Sequence, residues 1–226
     1  MIRIFMDLDG VVRDLVGAID RLYREQFPTE EPVVVPVYDL DLRYPRWGMD
    51  TYDIVFRQEV ARLFNHDALP YPEAVETCHY LDGQFDVRFV ILSKQADMRI
   101  PATVDWLMRH GLDELDREFV DGASKAEWIR TAMSEGEIGE DDIIIVYDDS
   151  PDEIEEISMM LVSDNVIPVL VVQPWNETYR KGSPHISVAD GLTQRDALWP
   201  LHLARTMVRA QQGIQEGDDH DLESEL

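Results

Sequence analysis

Two kinds of hydrophobic pattern alternate along the chain. Short continuous apolar runs, of which the β-branched run 143–147 is the clearest, predict buried strands. Between them, apolar residues recur every three or four positions, which predicts amphipathic helices. The predicted strands are 2–6, 87–92, 118–120, 143–147 and 166–172. The predicted helices are 15–27, 51–65, 73–81, 101–110, 126–133, a segment that ends near 161, and 196–212.

Strands that alternate with helices of about 10 to 15 residues predict βαβ units. The fold class is therefore α/β, with a doubly wound, Rossmann-like parallel sheet. The helical block 15–80 is too long for a simple crossover and is predicted to be a cap inserted after the first strand. Residues 1–14 and 81–212 then form the core domain, and the acidic stretch 213–226 is predicted to be a disordered tail.

Charge limits the partners that the chain can have. Forty-six acidic residues stand against twenty basic ones, which gives a net charge of -26. This charge disfavours long nucleic acids and anionic membrane surfaces, so a phosphorylated substrate would need local cations and a metal ion. The excess of arginine over lysine suits a protein from a high-salt source, although a GC-rich genome would also favour arginine.

The N-terminus leads directly into a strand pattern, and no apolar run reaches the length of a membrane span. Cys78 is the only cysteine, which excludes an internal disulfide and a cysteine-rich metal cluster. These features predict a cytoplasmic protein. They do not indicate an oligomeric state.

Two carboxylates follow the first strand. Asp7 and Asp9 are two positions apart, so their side chains leave the strand on the same side, and Gly10 allows close approach to the backbone. This arrangement suits the binding of a cation and a phosphate. A simple Asp-Gly turn explains these residues equally well, so the remainder of the chain must decide between the two.

Further polar residues stand at the ends of later strands. Ser93 ends the second strand, Lys125 lies just before the predicted helix 126–133 and is one of only three lysines, and Asp148 and Asp149 follow the run 143–147. In open α/β sheets the ligand site lies outside the carboxyl ends of the strands. The topology therefore predicts that these side chains share one site with Asp7 and Asp9.

These four segments, in this order, resemble the motifs of the haloacid dehalogenase superfamily of phosphotransferases. Within it, residues 1–180 are most similar to the 5'(3')-deoxyribonucleotidases. The superfamily motifs are matched by Asp7-Leu8-Asp9-Gly10-Val11, Val90-Ile91-Leu92-Ser93, Lys125 and Tyr147-Asp148-Asp149. The finer similarity rests on Phe27-Pro28, Pro70-Tyr71-Pro72-Glu73-Ala74 and Pro174-Trp175-Asn176.

The resemblance implies a role for each acid. Asp7 would be the nucleophile that forms an aspartyl phosphate, and Asp9 would be the general acid and base. Mg²⁺ would be held by Asp7, the backbone carbonyl of Asp9, and Asp149. Asp148 would lie behind these ligands and orient them.

The resemblance also implies a substrate side of the site, in which Ser93 and Lys125 bind the phosphoryl oxygens and Gly10 allows close approach. Lys94 either contacts phosphate or is solvated. An aromatic wall for the base and sugar could come from three rings of the cap segment, which could equally be ordinary cap core. These rings are Tyr44, Trp47 and Tyr71.

The predicted function is Mg²⁺-dependent hydrolysis of phosphomonoesters, with a nucleoside 5'-monophosphate as the small phosphorylated substrate. A polynucleotide 3'-phosphatase and a small sugar phosphatase are alternatives with the same chemistry. A catalytically silent module with this fold is an alternative of another class. Loss of a motif acid or of Lys125 would favour that last alternative, and none is lost.

Overall fold

The computed structural model describes residues 1–35, 39–161, 165–179, 187–189 and 191–213, and a six-stranded parallel sheet organises them. The strands are β1 Ile2–Met6, β2 Arg13–Asp14, β3 Leu69–Pro70, β4 Val87–Lys94, β5 Arg117–Val120, β6 Ile143–Asp148, β7 Val166–Val171 and β8 Ser187–Ala189. The sheet order is β5-β4-β1-β6-β7-β8. This is the predicted doubly wound sheet, with β1 between β4 and β6.

Every predicted helix is present, with ends that shift by a few residues. The helices are α1 Leu15–Gln26, α2 Leu40–Arg43, α3 Thr51–Asp53, α4 Ala74–Asp82, α5 Ile100–Arg109, α6 Lys125–Ser134, α7 Pro151–Met160 and α8 Gln194–Gln211. The predicted helix 51–65 consists of α3 and two π-helical segments, Ile54–Gln58 and Ala61–Asp67. The unpredicted strands β2, β3 and β8 are only two or three residues long, too short for a pattern to mark them.

Side chains of the central strands alternate between two hydrophobic layers. In β6, Ile143 and Ile145 pack into the layer that contains Trp106 of α5 and Leu201 of α8, whereas Ile144 packs into the other layer. The second layer is covered by α6 and α7. Because both faces are covered, β6 is apolar at consecutive positions, which is the pattern of a central parallel strand.

A third hydrophobic cluster lies between β1 and β4 in the chain, and we call it the cap cluster. Its two connections to the sheet pair as antiparallel strands, with Arg13 opposite Pro70 and Asp14 opposite Leu69. The division into a core and an inserted cap remains our proposal, and this separate cluster supports it. The buried members of the cap cluster are Leu15, Ala18, Ile19, Leu22, Tyr23, Tyr44, Trp47, Val55, Val60, Leu63, Phe64 and Ala68.

The C-terminal helix α8 packs against β6 and α4, and the described chain ends two residues after it. Apart from Gly213, the predicted acidic tail lies outside the described residues. Among the described helices, none combines the length and the apolarity that crossing a membrane requires.

Candidate active site

Three buried carboxylates converge where β1 and β6 end. The two strands are parallel neighbours, and the backbone N–H of Asp7 donates to the carbonyl of Tyr147 at 2.9 Å, which places Asp7 beside the residues that follow. Asp7, Asp148 and Asp149 each offer an oxygen within 4.8 Å of the others. We call these three residues the acidic cluster.

Lys125 is the cation of the acidic cluster. It is the first residue of α6, whose start is fixed by a capping box between Ser124 and Glu127. Its Nζ lies 2.6 Å from Oδ1 of Asp7 and 2.5 Å from Oδ2 of Asp148, and the residue is only 2% exposed. When the three carboxylates are ionised, the single ammonium of Lys125 balances only one of their three negative charges.

The pKa values of Asp7, Asp149 and Lys125 are all raised. Burial raises the pKa of Asp7 to about 7; Lys125 opposes this effect and Asp148 adds to it. Burial also raises the pKa of Asp149 well above its ordinary value, with further contributions from Asp148 and Asp7. Burial alone would lower the pKa of Lys125, but the charges of Asp148 and Asp7 outweigh it and raise that pKa.

The donor set fits a hard divalent cation. Carboxylate oxygens are the ligands that such cations prefer, and two further positive charges would balance three carboxylates and one ammonium. Gly10 brings its backbone close to the same place, with φ of +83°, and a Cβ there would lie 2.3 Å from Oδ2 of Asp149. Gly10 therefore lies against a cluster acid, and the approach of a ligand to its backbone stays a prediction.

Asp149 is held by residues after β7. Nε1 of Trp175 donates to Oδ2 of Asp149 at 2.9 Å, and Nδ2 of Asn176 donates to its backbone carbonyl at 2.6 Å. Gln173 donates to the carbonyl of Gly10 at 2.6 Å. The segment Pro174-Trp175-Asn176 marked the family resemblance in the sequence, but the pattern did not reveal that this segment orients an acid of the cluster.

The carboxylate of Asp9 faces a different set of partners. Arg13 donates to it from Nε at 2.6 Å and from Nη2 at 3.0 Å, and Nε2 of Gln95 donates at 2.9 Å. Arg13 is fully buried and also donates to the carbonyl of Phe64 at 2.9 Å. Asp9 is thus tied to the cap cluster through Arg13. The predicted contact of its backbone carbonyl with a metal stays a prediction.

Sequence reasoning missed Arg13 and Gln95. Arg13 lies four residues after Asp9, and its cation also stacks on the rings of Phe64 and Trp106, 5.0 Å and 5.4 Å from their centroids. The only signal in the sequence was an arginine close to a motif acid. Nothing in the pattern showed that this arginine is buried.

The remaining predicted residues occupy the strand end of β4. Ser93 is 1% exposed, and its hydroxyl accepts a hydrogen bond from Gln95 at 3.1 Å. Lys94 pairs with Glu153 at 2.7 Å, and its side chain remains 47% exposed. Both residues line the cavity beside the acidic cluster, so the choice between phosphate contact and solvation for Lys94 stays open.

A cavity of about 550 Å³ joins the acidic cluster to the cap segment. The predicted site residues that line this cavity are Asp7, Asp9, Gly10, Ser93, Lys94, Lys125, Asp148 and Asp149. Other residues that line it include Leu15, Val16, Phe56, Arg99 and Tyr179. Two of the rings considered for the aromatic wall lie elsewhere: Tyr44 and Trp47 pack inside the cap cluster, with centroids 5.2 Å apart. Tyr71 packs against the core layer that contains Trp106. Their role in substrate binding stays a prediction.

The comparisons with known proteins identify the fold. Neither models of known protein families nor curated protein sequences match the chain. A haloacid dehalogenase-like hydrolase from Streptococcus pneumoniae superposes with a TM-score of 0.60 at 12% identity, over 89% of this chain and 98% of that one. CbbY from Rhodobacter sphaeroides, solved with phosphate, gives 0.56 at 13%, over 86% and 96%.

A candidate phosphoglycolate phosphatase from Lactobacillus plantarum also superposes, with a TM-score of 0.56 at 14% identity, over 88% of this chain and 99% of that one. At these identities the likeness concerns the fold, and the chain has the haloacid dehalogenase-like fold. None of these three structures is described as a nucleotidase, so the finer resemblance to deoxyribonucleotidases is not supported by them.

Proposed function

We propose that this chain is a Mg²⁺-dependent phosphomonoester hydrolase that acts through an aspartyl phosphate. The observation that carries this proposal is the buried contact of Asp7 with Lys125 beside Asp148 and Asp149, at the carboxyl end of a central strand. Structural neighbours that are described as hydrolases or phosphatases, or that were solved with phosphate, support it.

Asp7 would attack the phosphorus with its carboxylate, form an aspartyl phosphate and release the leaving-group oxygen. Asp9 would donate a proton to that oxygen, then take a proton from the water that attacks the aspartyl phosphate and regenerates Asp7. To do so, the side chain of Asp9 must exchange one of its hydrogen bonds from Arg13 or Gln95 for the reacting oxygen.

Lys125 and Ser93 would bind the phosphoryl oxygens, and the ammonium of Lys125 would compensate the charge that spreads over them. Mg²⁺, held by Asp7, the backbone carbonyl of Asp9, and Asp149, would supply further charge neutralisation when bound. Trp175 and Asn176 would keep Asp149 in place for this role, because they bind its side chain and its backbone.

The finer proposal concerns the substrate. Three segments outside the superfamily motifs resemble those of deoxyribonucleotidases, so we propose nucleoside 5'-monophosphates as the first class to test. These segments are Phe27-Pro28, Pro70-Tyr71-Pro72-Glu73-Ala74 and Pro174-Trp175-Asn176. Among the described residues, the aromatic rings that line the cavity are those of Phe56, Trp175 and Tyr179, whereas Tyr44 and Trp47 do not line it. Small phosphorylated metabolites such as sugar phosphates are the second class, and the neighbour described as a phosphoglycolate phosphatase favours including them.

A phosphatase screen tests the proposal. Release of inorganic phosphate is measured from p-nitrophenyl phosphate, nucleoside monophosphates, sugar phosphates and a 3'-phosphorylated oligonucleotide, with Mg²⁺ and with a chelator. Asp7→Asn is expected to reduce turnover at least about 10⁴-fold, because the substituted amide is no nucleophile. Exposed Asp113 provides the matched control Asp113→Asn, which should leave turnover unchanged. Absence of Mg²⁺-dependent turnover, or an active Asp7→Asn variant, would reject the proposed mechanism.

A further inference from the structure

The most unusual cation of the cavity is Arg99. It ends the short helix Asp97–Arg99 between β4 and α5, is half-buried, and lines the same cavity as Asp7 and Lys125. Its guanidinium carbon lies 5.1 Å from the ring centroid of Phe56 and 5.8 Å from that of Phe64. Arg99 therefore connects the end of the sheet with the cap cluster.

The guanidinium of Arg99 has no hydrogen bond or ion pair to any residue in the part of the chain that the structure describes. This is unexpected in a chain with a net charge of -26. Acids are available, because Asp97 lies two residues earlier and Asp152 lines the same cavity. The other two cations of the cavity are both paired: Lys94 with Glu153, and Lys125 with the acidic cluster.

The contacts of Arg99 define which chemistry could bind it. The aromatic rings pack against the guanidinium and hold the charged group by cation–π attraction. Its N–H groups donate no hydrogen bond to a described residue. Their planar, forked arrangement suits two parallel hydrogen bonds to a carboxylate or a phosphate. A neutral sugar or base would leave this charge uncompensated inside a half-buried cavity.

We propose that Arg99 binds a second anionic group on the leaving-group part of the substrate, either a carboxylate or a second phosphate. This inference rests on the proposed phosphomonoesterase chemistry but not on a nucleotide substrate. The acidic cluster and Lys125 would receive the reacting phosphoryl group. Arg99 would receive the second anion and so distinguish acidic phosphomonoesters from neutral ones of similar size.

The test compares matched pairs of substrates in the full chain with Mg²⁺. The carboxylate pair is phosphoglycolate and its amide, and the phosphate pair is 1,3-propanediol bisphosphate and 3-hydroxypropyl phosphate. Wild type should favour the acidic member of at least one pair by about tenfold to a hundredfold in kcat/KM, mainly through KM. The preferred pair identifies the anion as a carboxylate or a phosphate.

Variants then assign the preference to Arg99. Arg99→Gln should remove the preference by raising KM for the acidic member alone, and Arg99→Lys should keep part of it, because a lysine supplies the charge without the fork. Arg130→Gln is the matched control: Arg130 is exposed on α6, has no ion pair with a described residue, and does not line the cavity. It should retain the full preference.

The outcomes separate this inference from the proposed function. A wild-type enzyme that hydrolyses p-nitrophenyl phosphate but favours neither acidic member would overturn the Arg99 subsite and leave the phosphatase proposal standing. Equal losses for both members of a pair in Arg99→Gln would also overturn it. Absence of all turnover in wild type would overturn the proposed function, and this inference with it.

Discussion

The acidic cluster and the cap cluster meet at one cavity but are built in different ways. In the acidic cluster, backbone topology brings charged groups together at the ends of β1 and β6, and Lys125 bridges two of the acids. In the cap cluster, aromatic rings such as Tyr23, Tyr44 and Trp47 pack against one another. The comparison indicates that strand register positions the charged groups, whereas side-chain packing shapes the cap side of the cavity.

The largest effect on stability is expected at Lys125. Lys125→Met would leave three buried carboxylates without their cation, and the metal-free protein should lose about 3–5 kcal/mol of unfolding free energy. The matched variant Lys94→Met breaks an exposed ion pair with Glu153, which is worth at most about 1 kcal/mol. Chemical unfolding in a chelating buffer measures both. Equal losses of unfolding free energy in the two variants would show that Lys125 stabilises the acidic cluster no more than Lys94 stabilises its exposed ion pair.

The same contrast explains what the sequence could predict. Asp7, Ser93, Lys125 and Asp149 follow recognisable strands or begin a helix, and a parallel sheet necessarily gathers such positions at one edge. The main strands and helices were also predictable, because their hydrophobic patterns are regular and extend over several residues.

Arg13, Gln95 and Arg99 were not predictable in this way. Their positions depend on side-chain direction across two separate hydrophobic clusters, and no period in the sequence encodes that direction. Arg13, for example, is buried because α5 and the carbonyl of Phe64 enclose it, and these are distant in the chain. The sequence also could not decide whether the aromatic residues of the cap segment form a substrate wall or ordinary cap core. In the structure Tyr44 and Trp47 pack within the cap cluster.

The next expected effect is a dependence of stability on pH that arises from the acidic cluster. Burial raises the pKa of Asp7 from 3.8 to about 7, so between these pH values the folded chain holds a proton that the unfolded chain has lost. Unfolding free energy of the metal-free protein should therefore fall as the pH rises from about 4 to about 7, by up to about 4 kcal/mol from this residue. The raised pKa of Asp149 acts in the same direction.

Urea unfolding across this pH range, with a chelator, compares wild type with Asp7→Asn. The variant should show a shallower decline, because it has no proton to lose at this position, while Asp113→Asn should follow wild type. Mg²⁺ should reduce the decline in wild type, since the cation binds the ionised carboxylates and releases their protons. Parallel curves for wild type and Asp7→Asn would contradict the assignment.

The smallest effect is expected in the cap cluster, from Tyr44→Phe. The hydroxyl of Tyr44 donates to Oδ1 of Asp20 at 2.7 Å, and burial together with the charge of Asp20 raises its pKa, so the hydroxyl stays protonated. Its removal should cost about 0.5–1.5 kcal/mol, because Arg43 still binds both oxygens of Asp20. Turnover and KM should remain near wild type if Tyr44 is cap core.

Steady-state kinetics and thermal unfolding of Tyr44→Phe test this, with Tyr52→Phe as the control because Tyr52 is 58% exposed. A KM that rises for nucleoside monophosphates, but not for p-nitrophenyl phosphate, would place Tyr44 in the substrate wall after all. The cap segment would then have to rearrange when substrate binds, because the ring of Tyr44 is not among the described residues that line the cavity. An unchanged KM with reduced stability would instead confirm the contrast: Tyr44 stabilises the cap cluster, whereas Leu15, Phe56 and Arg99 line the cavity.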